Sequence, residues 1–255
     1  MIVRATESLH WYTKTGNPAY SVEAKNGSRR PTTLRDAKKL GLIPSVTTII
    51  RCAASPGLEA WKLNQMLLAA LTLPRRDEEP EESFVSRIIS DSREQAKLAA
   101  ERGSMVHAKL ENFFETRVAD EESAPIVLAT DLKISEHFGD LNWAPEKSFG
   151  HELGFGGKVD LHSTDGDGVV IDFKTKEFTS EQLEKAQGFD EHVMQLASYR
   201  VGLGIPSARC ANVFVSVTEP GLVVIREWEA KELERGWKMF QSLLDFWYAK
   251  SELER

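Results

Sequence analysis

Three residues in the second half of the chain have the types and spacing of a hydrolytic metal site. Asp172 and Lys174 stand two apart in the run GVVIDFKTK, and Asp160 precedes Asp172 by twelve residues. Because side chains alternate along a β-strand, Asp172 and Lys174 face the same side. Two carboxylates held together repel each other unless a cation neutralises them. Magnesium and manganese take carboxylate, carbonyl and water oxygens, so the trio predicts a site for Mg²⁺ or Mn²⁺.

A divalent ion next to a lysine suits phosphodiester hydrolysis. The ion would polarise the phosphate and lower the pKa of a water molecule, while Lys174 would orient that water or stabilise developing negative charge. Taken alone, an Asp-x-Lys strand is more often a surface ion pair than a catalyst. The prediction therefore depends on the residues around it.

The elements that would position the trio are strands joined by tight turns. From about Trp143 three strand-like segments follow one another, APEKSFGHEL, GFGGKVDLHS and GVVIDFKTKE. Two Asp-Gly pairs within residues 164–168 favour a tight hairpin between the second and third segments. The pattern predicts an antiparallel meander that brings Asp160 alongside Asp172.

Helices and further strands surround this meander in an α+β arrangement. We expect an N-terminal region, 1–83, and a core, 84–255, within one continuous domain; the core order is helix, three-stranded meander, helix, strand. Periodicity predicts helices at 57–72, about 84–114, 190–202 and 231–251, strands in ARCANVFVSVT and LVVIREWEA, a loop at 74–83 and a short hairpin around 16–18.

Composition narrows the functional classes. The two cysteines lie far apart and outside any CxxC spacing, so the sequence supports neither a disulfide framework nor a cysteine-based zinc or iron-sulfur site. No apolar run reaches the roughly 18 residues that cross a bilayer, and the start lacks a secretion signal, so we expect no membrane contact and a cytoplasmic location, in a bacterial or phage-infected cell.

Charge is distributed unevenly along the chain. The net charge is −7, yet residues 1–63 carry ten Lys and Arg against four acids, a local balance of +6, which leaves −13 for the rest. A basic N-terminal part could bind a phosphate backbone, or it could be an ordinary solvated surface. The charge pattern by itself leaves both readings open.

Four motifs in one order resemble those of RecB-type PD-(D/E)XK nucleases. A further segment, PSVTT at 44–48 with Trp61, is similar to the mitochondrial genome maintenance exonucleases and their phage and bacterial relatives. The resemblance implies a restriction-endonuclease-like core with a mainly helical N-terminal cap. The four motifs are RGSMVH at 102–107, GGKVD at 156–160, DFKT at 172–175 and QLASY at 195–199.

The resemblance also implies a role for individual residues. His107, Asp160, Asp172 and the backbone carbonyl of Phe173 would be metal ligands, and Lys174 would be the catalytic lysine. Gln195 and Tyr199, on one helix face, would steady the lysine and the DNA backbone. Whether Glu111 orients His107 and whether Glu146 reaches the site stay open, and His192 is expected to be structural. The residues implied in DNA binding are Ser45, Thr47, Trp61 and Arg102.

The activity that the resemblance implies is metal-dependent exonuclease action on single-stranded DNA ends, in phage-type recombination, replication or repair. The strand would thread beneath a cap, with Trp11, Tyr12 or Trp61 stacking on bases. Alternatives are a flap or junction endonuclease, a hydrolase of small phosphoesters and a catalytically silent DNA-binding protein. No Walker-type loop is present, so no ATP requirement is expected. A single-strand-binding or recombination protein is a conceivable partner; strand polarity, RNA tolerance and oligomeric state stay open.

Overall fold

The computed structural model describes residues 10–255 and divides them into two compact units. One unit comprises the described residues up to Ala53 together with Leu110–Arg255, and the other is Ala54–Lys109. All of the sheet strands and most of the motif residues belong to the first unit.

A five-stranded mixed sheet forms the centre of the first unit, in the order β5-β6-β7-β8-β9. Strands β5, β6 and β7 form an antiparallel meander, β8 runs parallel to β7, and β9 is antiparallel to β8. The parallel pair requires a crossover, and α6 supplies it. The strands are β5 (Ala144–His151), β6 (Phe155–Ser163), β7 (Val169–Lys176), β8 (Arg209–Ser216) and β9 (Val223–Trp228), with α6 at Asp190–Gly202.

The turn between β6 and β7 forms where the Asp-Gly pairs predicted it. Gly166 and Gly168 both adopt positive φ, at 58° and 85°, a region that glycine enters without a Cβ clash. The N–H of Gly168 donates to the carbonyl of Asp165 at 3.0 Å and closes the turn. This turn sets the register that carries Asp160 back toward Asp172.

The main hydrophobic core includes residues of α6, of the C-terminal helix α7 (Ala230–Ser251) and of the sheet. Helix α7 begins one residue before its predicted start, and α6 has the predicted bounds. Buried side chains of this core include Phe155, Val170, Val193, Leu196, Phe240 and Leu244.

A second layer contacts the sheet through aromatic and charged side chains. Phe114, near the end of α4 (Glu81–Thr116), stacks on Phe173 with ring centroids 6.1 Å apart. Helix α5 (Ala124–Phe138) reaches β9 through His137, whose Nε2 lies 2.7 Å from Glu227. The sequence patterns had not predicted α5.

The predicted hairpin around 16–18 forms as a tight turn between Thr13 and Asn17. The N–H of Thr13 donates to the carbonyl of Asn17 at 2.9 Å, that of Ala19 donates to the carbonyl of Trp11 at 2.8 Å, and Tyr12 and Pro18 form an antiparallel bridge. Strand β1 (Trp11–Tyr12) also pairs with β4 (Ile43–Pro44), and a second hairpin, which was not predicted, joins β2 (Ser21–Glu23) and β3 (Arg29–Pro31).

The proposal that Trp11 and Tyr12 stack on bases was wrong. Trp11 is fully buried and meets Trp247 edge-on, and Tyr12 packs against Gly156. Both rings belong to the core because β1 lies against β6 of the sheet. Two short helices, α1 (Leu34–Leu40) and α2 (Val46–Ile50), complete this region; α1 is not among the helices predicted from periodicity.

The unit Ala54–Lys109 consists of α3 (Pro56–Thr72) and the first part of α4. Arg87 fixes the loop between them, donating to Glu79 at 2.8 Å and to the carbonyl of Pro74 at 2.9 Å. Both helices were predicted, and α4 continues through Gly103 without a break.

The predicted α+β fold is confirmed, including the order of helix, three-stranded antiparallel meander, helix and strand. This order is consistent with a restriction-endonuclease-like core. The compact units divide the chain differently from the bounds 1–83 and 84–255, because α4 begins in one unit and ends in the other. The N-terminal cap stays a prediction. No helix within residues 10–255 is both long and apolar enough to span a membrane.

Candidate metal-dependent active site

Asp160 joins β6 to β7 at the place where their backbone ladder stops. The last backbone pair between the two strands is Leu161 with Ile171. One residue further along, Oδ2 of Asp160 accepts the backbone N–H of Phe173 at 2.8 Å. A side-chain carboxylate thus replaces a backbone carbonyl as the acceptor, and it holds Asp160 beside the segment that carries Asp172.

Asp172 and Lys174 form a close ion pair on β7. Nζ of Lys174 lies 2.6 Å from Oδ2 of Asp172; the Asp172 side chain is 2 % exposed and that of Lys174 is 25 % exposed. A buried carboxylate is costly unless it is paired and hydrogen-bonded. The arrangement therefore gives a buried carboxylate a charged partner while the lysine retains access to solvent.

Gln195 and Tyr199 extend the site along one face of α6. Oε1 of Gln195 accepts a hydrogen bond from Nζ of Lys174 at 3.2 Å, and its Nε2 donates to the Tyr199 hydroxyl at 2.9 Å. The amide of Gln195 thus connects Lys174 to Tyr199. Because Gln195 and Tyr199 are four residues apart, the predicted helix places them on the same face of α6.

The two glycines of the GGKVD motif allow close packing at the start of β6. A Cβ on Gly157 would lie 2.8 Å from the ring of Phe149 and 3.0 Å from that of Tyr199. A Cβ on Gly156 would lie 2.8 Å from Tyr12. A larger residue at position 157 would crowd Phe149 and Tyr199, and one at position 156 would crowd Tyr12, which gives both glycines of the motif a packing reason.

The electrostatics show that the carboxylates converge near Tyr199. Burial raises the pKa of Tyr199 well above its ordinary value, and the charges of Asp172 and Asp160 raise it further. Tyr199 is therefore a neutral hydrogen-bonding group. Burial and the positive charge of Lys174 lower the pKa of His192 to about 4, so this histidine is also neutral near pH 7.

Asn212 is a site residue that the sequence analysis missed. It is fully buried on β8 and pairs in register with Asp172 of β7. Its Nδ2 donates to Oδ2 of Asp172 at 2.7 Å, and its Oδ1 accepts the indole N–H of Trp228 at 2.8 Å. A buried asparagine inside the apolar run ARCANVFVSV was the available signal.

Glu146 lies close to the predicted site. Its neighbours Pro145 and Lys147 pair with Leu161 and Val159, which places Glu146 across from Asp160. The residue has a φ of +56°, uncommon for a side chain other than glycine, and it forms an ion pair with Lys158.

The serine of the PSVTT segment, Ser45, has a structural role. Oγ of Ser45 accepts the backbone N–H of Thr48 at 3.0 Å and caps α2, and Ser45 itself is buried. Ser45 also bridges to Gly156 of β6, so the segment lies beside the strand that leads to Asp160. Thr47 is half-buried. A DNA-binding role for either residue stays a prediction.

The remaining predicted residues belong to the unit Ala54–Lys109. Trp61 lies on α3 and is 38 % exposed. Arg102 and His107 lie on α4; Arg102 is exposed and His107 is half-buried. The structure brings together Asp160, Asp172, Phe173, Lys174, Gln195 and Tyr199. The roles of His107 as a ligand and of Trp61 and Arg102 in DNA binding stay predictions.

The donor set suits a hard divalent cation. Within residues 10–255 no group of three or more His, Cys, Asp and Glu side chains is arranged to hold a metal ion. Mg²⁺, however, often uses one or two protein carboxylates and completes its shell with water and substrate phosphate. Asp160 and Asp172, with the carbonyl of Phe173 between Asp172 and Lys174, fit that description.

Comparisons with known proteins add little about function. No protein-family model matches the chain, and no curated protein matches it. The crystal structure of SSO0001 is 15% identical over 73% of this chain and 86% of its own, with a TM-score of 0.28. An alkaline exonuclease (LHK-Exo) from Laribacter hongkongensis is 14% identical over 58% of this chain and 84% of its own, with a TM-score of 0.30. At such scores neither likeness carries an argument about this chain.

Proposed function

We propose that this chain is a divalent-metal-dependent deoxyribonuclease that hydrolyses phosphodiester bonds at single-stranded DNA ends. The observation that carries the proposal is the Lys174–Asp172 pair, 2.6 Å apart, beside the carboxylate of Asp160. A lysine, two carboxylates and a strand carbonyl are the groups that metal-assisted phosphate hydrolysis needs.

Asp160, Asp172 and the carbonyl of Phe173 would hold the ion, with His107 as a further ligand implied by motif resemblance. The ion would supply Lewis-acid polarisation of the phosphate and a lowered pKa for water. Magnesium and manganese both suit these oxygen ligands.

Lys174 contributes a directed positive charge. Its ammonium has three N–H donors. Within residues 10–255 it donates a hydrogen bond to Gln195 and forms an ion pair with Asp172. A further N–H can donate to a water molecule or to a phosphate oxygen. Because Asp172 and Gln195 hold the ammonium from two sides, it is in place before the substrate arrives, which is how a fixed charge lowers a barrier most.

Gln195 and Tyr199 orient the lysine without exchanging protons themselves. The pKa of Tyr199 is raised by burial, so the hydroxyl stays protonated and serves as a fixed partner for Gln195. This keeps Oε1 of the amide directed at Lys174.

A cleavage assay tests the proposal. End-labelled single-stranded and double-stranded DNA would be incubated with Mg²⁺, Mn²⁺ or a chelator, using wild type, Asp172→Asn and Asp167→Asn. Asp167 is an exposed acid in the β6–β7 turn and serves as a matched control. We expect cleavage only with metal, its loss in Asp172→Asn and its retention in Asp167→Asn. Cleavage in chelator, or undiminished cleavage by Asp172→Asn, would refute the function.

The requirement for an end is tested separately. We expect linear single strands to be degraded and covalently closed single-stranded circles to survive. Equal rates on both would assign the site to an endonuclease, whereas hydrolysis of mononucleotide esters with no response to polymer length would assign it to a small-phosphoester hydrolase.

A further inference from the structure

Asn212 occupies a position that connects two groups of opposite hydrogen-bonding character. On one side lies the carboxylate of Asp172, which is 2 % exposed and can only accept. On the other lies the indole N–H of Trp228, which can only donate. The distances to Asn212 are 2.7 Å and 2.8 Å. An amide, which has both a donor and an acceptor, satisfies both neighbours.

Trp228 sets the orientation of this amide. Since the indole N–H must meet the oxygen of Asn212, the amide nitrogen has to face Asp172. The indole is itself held in place, with the guanidinium of Arg226 5.0 Å above its ring. A Cβ on Gly188 would lie 2.4 Å from the ring, so the indole packs directly against that glycine. The amide therefore has a single orientation.

Two polar contacts reach the same oxygen of the Asp172 side chain. Asn212 donates a hydrogen bond to Oδ2 at 2.7 Å, and the ammonium of Lys174 forms an ion pair with Oδ2 at 2.6 Å. These two contacts on Oδ2 fix the rotation of the carboxylate and direct its other oxygen, Oδ1, away from them.

We propose that Asn212, held by Trp228, is a positioning residue that fixes Asp172 so that Oδ1 is presented to the divalent ion. The proposal rests on the proposed function and adds a requirement to it. Groups that hydrogen-bond to a metal ligand commonly change metal affinity or activity 10- to 100-fold when they are removed. Parallel pairing of β7 and β8 puts Asn212 in register with Asp172, so the sheet itself delivers this partner.

A purely structural role would have a different consequence. If Asn212 served only to satisfy buried polar atoms, its loss would lower stability and leave the metal affinity of the folded protein unchanged. Ser216 offers a matched comparison, because it is also fully buried on β8 but donates to the carbonyl of Phe178. Ser216→Ala should lower stability without changing metal affinity.

The test is calorimetric titration of Mn²⁺ into the full-length protein without DNA, with thermal unfolding as a check of folding. We expect Asn212→Ala to bind Mn²⁺ about 10-fold more weakly. Trp228→Phe should bind several-fold more weakly, since it leaves the amide free to turn, and Ser216→Ala should bind like wild type. In cleavage assays, the half-saturating Mg²⁺ concentration should rise for Asn212→Ala, with much of the rate recovered at saturating Mg²⁺.

Each outcome decides something definite. Folded Asn212→Ala that binds Mn²⁺ like wild type overturns the positioning role, while the proposed nuclease function stands. If Asn212→Ala does not fold, Trp228→Phe decides, and an unchanged Mn²⁺ affinity in that variant overturns the role. Wild type that binds no Mn²⁺ refutes the metal-dependent function and the positioning role together.

Discussion

Oδ2 of Asp160, on β6, accepts the backbone N–H of Phe173, on β7, at 2.8 Å. The same carboxylate is proposed as a metal ligand, so it serves the fold and the chemistry together. Its two functions can be separated, because an amide oxygen can accept the Phe173 N–H but carries no charge.

We therefore expect Asp160→Asn and Asp160→Ala to differ in stability and agree in activity. Both should lose metal-dependent cleavage. Asp160→Ala leaves the Phe173 N–H without its acceptor and should lower the free energy of unfolding by about 1–3 kcal/mol, whereas Asp160→Asn should lose much less. Urea unfolding in chelator, paired with cleavage assays, measures both. Cleavage by a folded Asp160→Asn protein at the wild-type rate would remove Asp160 from the site.

Lys174→Met should lower the single-turnover cleavage rate by about 100-fold or more, the usual cost of removing a donor that stabilises developing charge. DNA binding, measured with Ca²⁺ in place of Mg²⁺, should change little. Lys176→Met is the matched control on the same strand, because Lys176 donates to the backbone carbonyls of Lys185 and Gln187 and not to Asp172. An equal rate loss in both variants would mean that the cleavage rate depends on the total positive charge of this strand and not on the position of Lys174.

The loss of cleavage rate should be larger for a variant of Gln195, which contacts Lys174, than for a variant of Tyr199, which contacts only Gln195. Gln195→Leu removes the acceptor of the Lys174 ammonium, so its cleavage rate should fall more than that of Tyr199→Phe, which removes only the partner of Gln195. Single-turnover rates at saturating metal make the comparison. A larger loss in Tyr199→Phe would point to direct contact between the hydroxyl and the substrate.

Local sequence patterns predicted the parts of the site that depend on neighbours along the chain. The bounds of α6 follow from helical periodicity, and the β6–β7 turn follows from Asp-Gly pairs, so Gln195, Tyr199 and Asp172 could be placed together. Helix α1 was missed because its seven residues are too few to show helical periodicity, although Thr33 and Asp36 form a capping box at its start.

The other features of the site and of the N-terminal region depend on which strands pair, and these strands are far apart in the sequence. Asn212 reaches Asp172 because β8 lies parallel to β7, and nothing in either strand alone specifies that register. Trp11 and Tyr12 were expected to be exposed because alternation does not tell which strand a short segment will pair with. Their burial follows from pairing with β4 and packing against Trp247 and Gly156.

His192 gives a prediction for the pH dependence of stability. Burial and Lys174 lower its pKa in the folded protein to about 4, from an ordinary value of 6.5. Between those values the unfolded chain binds a proton that the folded protein does not bind, so the free energy of unfolding falls as the pH falls from about 6.5 toward 4. At pH 5 this costs the folded state about 2 kcal/mol relative to pH 7.5, since one pKa unit corresponds to about 1.4 kcal/mol.

His192→Gln should lack this contribution, because glutamine does not titrate. Urea unfolding of wild type and His192→Gln in chelator at pH 7.5 and pH 5 isolates it, since acid effects from all other groups are common to both proteins. We expect wild type to lose about 2 kcal/mol more than the variant on going to pH 5. Equal losses would mean that His192 is protonated in the folded protein at pH 5, which requires the carboxylate of Asp172 to outweigh burial and the charges of Lys174 and Lys176 around the ring.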